Sequence, residues 1–159
     1  MAAGFWLAGQ RVDDGEVGEV RHPGSGQLIA HYVVPGAEHI ERAAAAAAQA
    51  APTCRALSAA ERAAALDHVV AQLDARFDEV AELITAENGK PAIWARAEVT
   101  RAQSTFRWAA EEARRFGGEV QRLDTDAAMT GRAAIIRRFP IGPVLGIAPF
   151  NFPLNLVAH

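Results

Sequence analysis

The sequence predicts a mixed α/β chain that runs in the order small β unit, helical layer, strand and buried strand. Short β-type runs separated by Gly- and Pro-containing turns fill roughly the first 35 residues. Long stretches with apolar residues at helical spacing follow them. After residue 130, a β-branched run and a wholly apolar run return the pattern to strand.

The N-terminal β unit is predicted from "GFWLAGQRV" and "GEVRHPGSGQLIAHYVV", which are both short β-type runs. Asp13-Asp14-Gly15 separates the two runs, and Pro23-Gly24-Ser25-Gly26 interrupts the second. Both segments are strong turn signals, so we expect short strands separated by turns here.

The helical layer begins with "AEHIERAAAAAAQAA" (37–51), which Pro52 is expected to end. Ser58 and Glu61 form a capping-box pattern at the start of the next helix. The residues after it form either one long helix or two helices joined near Asp74–Phe77. Their apolar positions share one helical face: Leu66, Val69, Val70, Leu73, Phe77, Val80, Leu83 and Ile84.

Asn88-Gly89 predicts a helix stop, and Pro91 suits the first turn of a further helix that runs to Phe116. Lys90 lies at this helix end, where we expect it to interact favourably with the helix dipole. The aromatic residues of the long helix are expected to pack in the core: Trp94, Phe106 and Trp108. The carboxylates on the helices are expected to be solvated: Glu87, Glu98, Glu111 and Glu112.

Two strands are predicted near the end of the chain. "GRAAIIRRFP" (131–140) is β-branched at its centre, and "PVLGIAP" (143–149) is apolar throughout, as expected of a strand buried on both faces. A buried parallel strand needs neighbours, which βαβ units of about 30 residues usually supply. Only a short tail follows, so the sequence predicts a chain cut off inside a domain.

Composition excludes several classes of function. The net charge of −3 argues against a nucleic-acid partner. The N-terminus lacks a signal-peptide pattern, and no run of about 18 apolar residues predicts a membrane span. Cys54, the single cysteine, allows no internal disulfide and is expected to be an incidental thiol, and the histidines show no metal-ligand spacing. We therefore expect a cytoplasmic chain with no metal and no membrane partner.

The segment "PVLGIAPFNFPL" (143–154) sets Asn151 between two aromatic residues and two prolines. Pro149 fixes its own φ, and Phe152 is restricted to extended backbone because it precedes Pro153, so the loop should be stiff. It follows an apolar strand, where open α/β sheets bind ligands. Local chemistry alone favours a turn residue that bonds its own backbone; the alternative is a fixed hydrogen-bond donor.

The C-terminal "RRFPIGPVLGIAPFNFPLNLVAH" resembles the aldehyde dehydrogenase superfamily, in which such a strand and loop open the dinucleotide-binding core. "HPGSGQLIAHYVVPGAEHIERAAAAA" is similar to the early segment and first helix of that family. "LSAAERAAALDHVVAQLDARFDEVAELITAENGKP" and "EVTRAQSTFRWAAEEARRFGGEV" are similar to the helices that follow. The resemblance runs from about Phe5 to His159.

The resemblance implies three regions. Residues 1–130 would be the N-terminal β and helical part of the cofactor-binding domain, 131–140 an oligomerisation-arm strand, and 141–159 the first strand and active-site loop of a truncated, Rossmann-like dinucleotide-binding domain. It implies NAD or NADP as cofactor and an aldehyde as substrate. Asn151 would stabilise the oxyanion, Phe152 would form a wall of the substrate pocket, and the cofactor side would be lined by Ile147, Ala148, Pro149, Phe150 and Asn151.

The resemblance also implies the oxidation of an aldehyde to a carboxylic acid by a homo-oligomer. The family's cysteine nucleophile and glutamate base lie in regions beyond this sequence, so we expect the chain alone to be inactive. Two alternatives remain open: a non-catalytic interaction module that binds partners through exposed strand edges, and one half of a split enzyme.

Overall fold

The computed structural model describes residues 2–159 and begins with two antiparallel hairpins. The first pairs β1 (Phe5–Leu7) with β2 (Gln10–Val12), and the second pairs β3 (Glu16–Arg21) with β4 (Leu28–Val34). The β3–β4 turn falls at the predicted Pro23–Gly26 segment, and the predicted Asp13–Gly15 turn links β2 to β3. The β1–β2 turn at Ala8-Gly9 was not predicted, because it interrupts a run expected to be a single strand. The predicted small β unit is therefore confirmed.

Four helices form the layer that follows: α1 (Ala37–Ala56), α2 (Ala59–Ala75), α3 (Phe77–Asn88) and α4 (Ala92–Arg115). Arg76 separates α2 from α3, which settles the open alternative in favour of two helices. The prediction that Pro52 ends α1 is wrong, because the helix continues through it. No α1 residue is buried, so water solvates the carbonyl that loses its N–H partner at this proline.

Small side chains form the interface between α4 and its neighbours. The buried apolar residues of α4 recur at helical spacing and are Ala95, Val99, Ala102 and Ala110. They pack with buried residues of α2 and α3, which are Ala63, Val70, Ala81 and Ile84. The expectation that Trp94 and Trp108 pack in the core is wrong, since each is 64% exposed. Both lie about 100° or more around the helix from the buried stripe at Val99. Phe106 is half-buried, and Leu83 is exposed.

After α4, the antiparallel strands β5 (Glu119–Arg122) and β6 (Ala133–Ile136) form a third hairpin. The strand predicted over 131–140 is thus confined to four residues, and its partner β5 was not predicted. The buried strand predicted over 143–149 is not formed, and Leu145 and Ile147 are 84% and 85% exposed. A strand needs a hydrogen-bonded neighbour, and residues 2–159 supply none to this segment.

The chain closes with a short helix, α5 (Asn155–Ala158), that packs against α4. Within residues 2–159, none of the helices combines the length and hydropathy needed to cross a bilayer.

Candidate functional site

The loop from Phe150 to Leu154 is anchored to the junction between α3 and α4. The Asn88 Nδ2 amide donates to the carbonyl of Phe150 at 2.8 Å, and the Lys90 Nζ ammonium donates to the carbonyl of Asn151 at 2.7 Å. These bonds span more than 60 residues of sequence. They hold the two peptide groups that flank the Cα of Asn151.

Gly89 explains why both anchoring side chains come from one short junction. It ends α3 in the left-handed conformation, with φ of 73°, which glycine adopts without the cost that a side chain brings. A Cβ at this position would also lie 2.7 Å from Pro23 Cγ of the β3–β4 turn. The predicted helix stop is therefore confirmed. The turn at Gly89 also places the side chains of Asn88 and Lys90 against the same loop.

Glu98 on α4 binds the other end of the loop. It is 1% exposed, and its Oε1 accepts the N–H groups of Leu154 at 2.9 Å and Asn155 at 3.1 Å. Its Oε2 forms a salt bridge with Lys90, whose side chain is 10% exposed. The expectation that Glu98 is solvated is therefore wrong, and Lys90 contacts a carboxylate and the loop in place of a helix dipole.

The ring of Phe152 lies against cations on the helical layer. Lys90 Nζ is 4.2 Å and the Arg101 guanidinium carbon 5.6 Å from the ring centroid, distances at which a cation and the face of a ring attract. Asn155 is buried beside this cluster, and its Oδ1 accepts no hydrogen bond within residues 2–159.

Asn151 differs from its neighbours because only its backbone is held. The residue is exposed, and its carboxamide makes no hydrogen bond in the described part of the chain, although its carbonyl accepts from Lys90. Asn151 lies in a turn, but its side chain does not bond its own backbone there, as the turn interpretation would require. The result is a fixed backbone that carries an unpaired amide donor.

The other residues assigned to the cofactor side form an open apolar surface next to Asn151. Ile147 and Phe150 are largely exposed, and Phe150 borders a cleft of about 430 Å³ with Tyr32 and Glu87. One face of a nicotinamide ring fits an apolar surface of this kind.

Cys54 lies elsewhere, on α1, and borders a different cleft with Pro140 and Pro143. In the described part of the chain, no cluster of three His, Cys, Asp or Glu side chains is arranged to hold a metal ion.

Sequence reasoning missed Asn88, Lys90 and Glu98 as residues of the site. Two signals point to them in retrospect. Lys90 is the sole lysine of the sequence, and Glu98 occupies a helical position one residue from Val99, at the edge of an apolar stripe. Neither signal identifies the loop that Lys90 and Glu98 bind, because that loop is 61 and 56 residues away from them in sequence.

The fold and the site define an α/β chain whose helical layer anchors an asparagine-bearing loop beside an open apolar surface. Residues 10–159 match the aldehyde dehydrogenase family. The chain belongs to this family, and the predicted resemblance is confirmed.

Relatives of the chain are considerably longer than it is. It is 34% identical to a glutarate-semialdehyde dehydrogenase of Pseudomonas putida over 156 residues, which cover 98% of this chain and 31% of that protein. The aldehyde dehydrogenase 21 of Physcomitrella patens, solved with the reaction product succinate, matches 99% of the chain with a TM-score of 0.92 and 43% identity. An NADP complex of glyceraldehyde-3-phosphate dehydrogenase from Bacillus halodurans matches with a TM-score of 0.90 and 30% identity. The match covers 33% and 34% of those two structures. The chain thus spans about a third of the length of its relatives.

Proposed function

We propose that the chain forms the N-terminal portion of an enzyme that oxidises an aldehyde to a carboxylic acid with NAD or NADP. The observation that carries this proposal is the state of Asn151, whose carbonyl is bound by Lys90 while its carboxamide is exposed and unpaired. Family membership and the similarity to semialdehyde dehydrogenases support the reaction class.

Asn151 supplies the transition-state hydrogen bond in this proposal. Attack of a nucleophile on the aldehyde carbon forms a new bond at carbon and moves the carbonyl electron pair onto oxygen. The Asn151 Nδ2 amide donates to that oxyanion. Loss of one such donor typically costs about 2.7–4 kcal/mol of transition-state stabilisation, provided that the donor is held in position before the reaction. The anchored backbone meets this condition.

The residues around Asn151 take complementary roles. Ile147, Ala148, Pro149 and Phe150 would line the nicotinamide side of the cofactor, which, when bound, accepts the hydride that leaves the substrate carbon. Phe152 would form a wall of the substrate pocket, and its ring is already fixed against Lys90. The nucleophile has no counterpart beside Asn151, because the single thiol of the sequence is on α1, at a different cleft.

A chimera tests the proposal. Residues 1–159 would replace the matching N-terminal part of the Pseudomonas putida glutarate-semialdehyde dehydrogenase, and NAD(P)H formation would be followed with glutarate semialdehyde. We expect a functional chimera in which Asn151→Ala lowers kcat about 100- to 1,000-fold with little change in KM. The isolated chain should be inactive. Unchanged kcat in Asn151→Ala would refute the role of Asn151, and turnover by the isolated chain would refute the predicted dependence on further residues.

An assembly with a second polypeptide is the alternative that a specific observation favours. Large apolar side chains project into solvent along the segment before the loop: Phe139, Ile141, Val144, Leu145, Ile147 and Phe150. A contiguous apolar surface of this kind marks a protein contact. The partner would be the remainder of a split enzyme or, through β6 of the predicted arm, a second copy in a homo-oligomer. Sedimentation of the pure chain distinguishes these two partners, because only the homo-oligomer can form without another polypeptide.

The remaining expectations from the sequence stay predictions. They are a cytoplasmic location, the absence of nucleic-acid and membrane partners, and the division of the chain into 1–130, 131–140 and 141–159.

A further inference from the structure

The function proposed above uses the contacts of Lys90 with the loop but assigns no role to its buried ion pair with Glu98. Both side chains are nearly inaccessible to solvent. Removing two charges from water costs more than their mutual attraction returns unless further hydrogen bonds are made. The further hydrogen bonds of this pair are all made to the backbone of residues 151–155.

The pair holds the loop on both sides of Pro153. Lys90 donates to the carbonyl of Asn151, and Glu98 accepts from the amides of Leu154 and Asn155. Pro153 itself has no N–H to offer, so Glu98 accepts from the amides of the two residues that follow it. The direct ion pair between Lys90 and Glu98 joins the two anchors into one unit.

We propose that Lys90 and Glu98 are positioning residues that set the direction of the Asn151 carboxamide. This inference rests on the proposed function for its catalytic consequence, but its structural part stands on the hydrogen bonds alone. Charged groups form stronger hydrogen bonds than neutral ones, and a donor that must meet an oxyanion requires a backbone held to within a fraction of an ångström. Neither residue touches substrate in this arrangement; both act through Asn151.

A general structural role is the competing interpretation. The α3–α4 core is formed by Ala81, Ile84, Ala95 and Val99, with Leu154 packed against it. If Lys90 and Glu98 served only that core, their loss would loosen α4 as a whole. If they position the loop, their loss would free residues 151–155 and leave α4 intact.

Amide hydrogen exchange on the complete 159-residue chain separates these roles. The variant Lys90→Met/Glu98→Leu replaces the ion pair with apolar side chains of similar volume, which buried pairs tolerate without loss of stability. We expect the amides of Leu154 and Asn155 to lose about tenfold or more of their protection, while the amide of Val99 keeps its own. Asp78→Asn is the matched control, because it breaks an exposed ion pair between α3 and Arg96 of α4 and should change neither amide.

Either of two exchange results overturns the proposal. One is wild-type protection of Leu154 and Asn155 in the double variant, which would mean that other contacts hold the loop. The other is an equal loss of protection throughout α4, which would make the pair part of the general stability. Lys90→Met/Glu98→Gln serves as the rescue variant, since the glutamine carbonyl still accepts both amides. It should restore protection at Leu154 and Asn155.

A double-mutant cycle in the chimera tests the catalytic consequence. We expect Lys90→Met/Glu98→Leu to lower kcat about tenfold or more with KM unchanged, and to have no further effect once Asn151 is alanine. A further, additive loss in the Asn151→Ala background would overturn the positioning role. If Asn151→Ala alone has no effect, the proposed function fails, whereas the exchange result remains an independent test of loop anchoring.

Discussion

Two adjacent segments of the chain, residues 139–149 and 150–155, have similarly apolar sequences and opposite structural states. The second segment makes hydrogen bonds to Asn88, Lys90 and Glu98. The first makes no strand pairing within residues 2–159, and its aliphatic side chains project into solvent.

The difference shows that two separate devices fix the backbone around Asn151. Residues 150–155 are held by side chains of the helical layer, which belongs to this chain and is already folded. Residues 143–149 have the composition of a strand, and a strand is fixed only by a neighbour's backbone. The anchored half therefore holds the Asn151 backbone within this chain, whereas the other half has no strand neighbour within residues 2–159.

Breaking the anchor from one side should have the largest effect. Lys90→Met leaves Glu98 as an unpaired buried charge, and loss of one partner from such a pair costs about 3–5 kcal/mol. Urea denaturation of the chain measures this change in the free energy of unfolding. The matched control Arg96→Met removes an exposed pair with Asp78 and should cost no more than about 1 kcal/mol. Equal effects of the two variants would show that the Lys90–Glu98 pair is solvated, contrary to the structure.

The anchored half was harder to predict from sequence than the elements that support it. The β3–β4 turn, the Ser58–Glu61 capping box and the helix stop at Asn88-Gly89 are local patterns, and all three are confirmed. Local patterns contain the physical cause of the structure within a few residues. The Asn151 loop was assigned as the site from its prolines and the resemblance, but the side chains of the helical layer that hold it were not predicted.

The errors at Glu98 and at 143–149 share one cause, which is that the nearby sequence does not contain the partner on which the structure depends. Glu98 was expected to be solvated because a carboxylate on a helix usually is, and its partners are 56 and 57 residues away. The strand over 143–149 was predicted from composition that is correct for a strand with neighbours. Pro52 was expected to end α1, but α1 has no buried residue and continues through Pro52 to Ala56.

An intermediate loss of stability is expected when the exposed capping box at the start of α2 is disrupted. At the start of α2, Glu61 accepts the Ser58 N–H and hydroxyl groups at 2.7 Å, much as Glu98 accepts amides at the start of α5. Ser58→Ala should cost about 1 kcal/mol, measured by urea denaturation at pH 7. A cost as large as that of Lys90→Met would contradict the contrast between exposed and buried anchors.

The pH dependence of this cap has a defined sign. The hydrogen bond from the Ser58 side chain, with that from its backbone, lowers the pKa of Glu61 below its usual value. Folding is therefore stabilised above the pKa of an unfolded glutamate, and this contribution is lost as the pH falls through the lower, folded pKa. The stability difference between wild type and Ser58→Ala should shrink over that acidic range.

The smallest effect on stability is expected in the unanchored half. Ile147 is 85% exposed and belongs to no strand, so Ile147→Ser removes no packing contact and should change the free energy of unfolding by less than about 0.5 kcal/mol. The matched control is Ile84→Ser on α3, which replaces a core side chain and should cost at least about 2 kcal/mol.

The same variant should change association even though it leaves stability unaltered. Ile147 forms part of the exposed apolar surface at 139–150, so its replacement by serine should reduce the concentration-dependent self-association of the pure chain in sedimentation velocity. The Ile84→Ser control should not reduce it, because that side chain is buried. A loss of stability near that of Ile84→Ser would show that residues 143–149 are packed in solution. Both segments would then be packed in the folded chain, and they would differ only in which residues they contact.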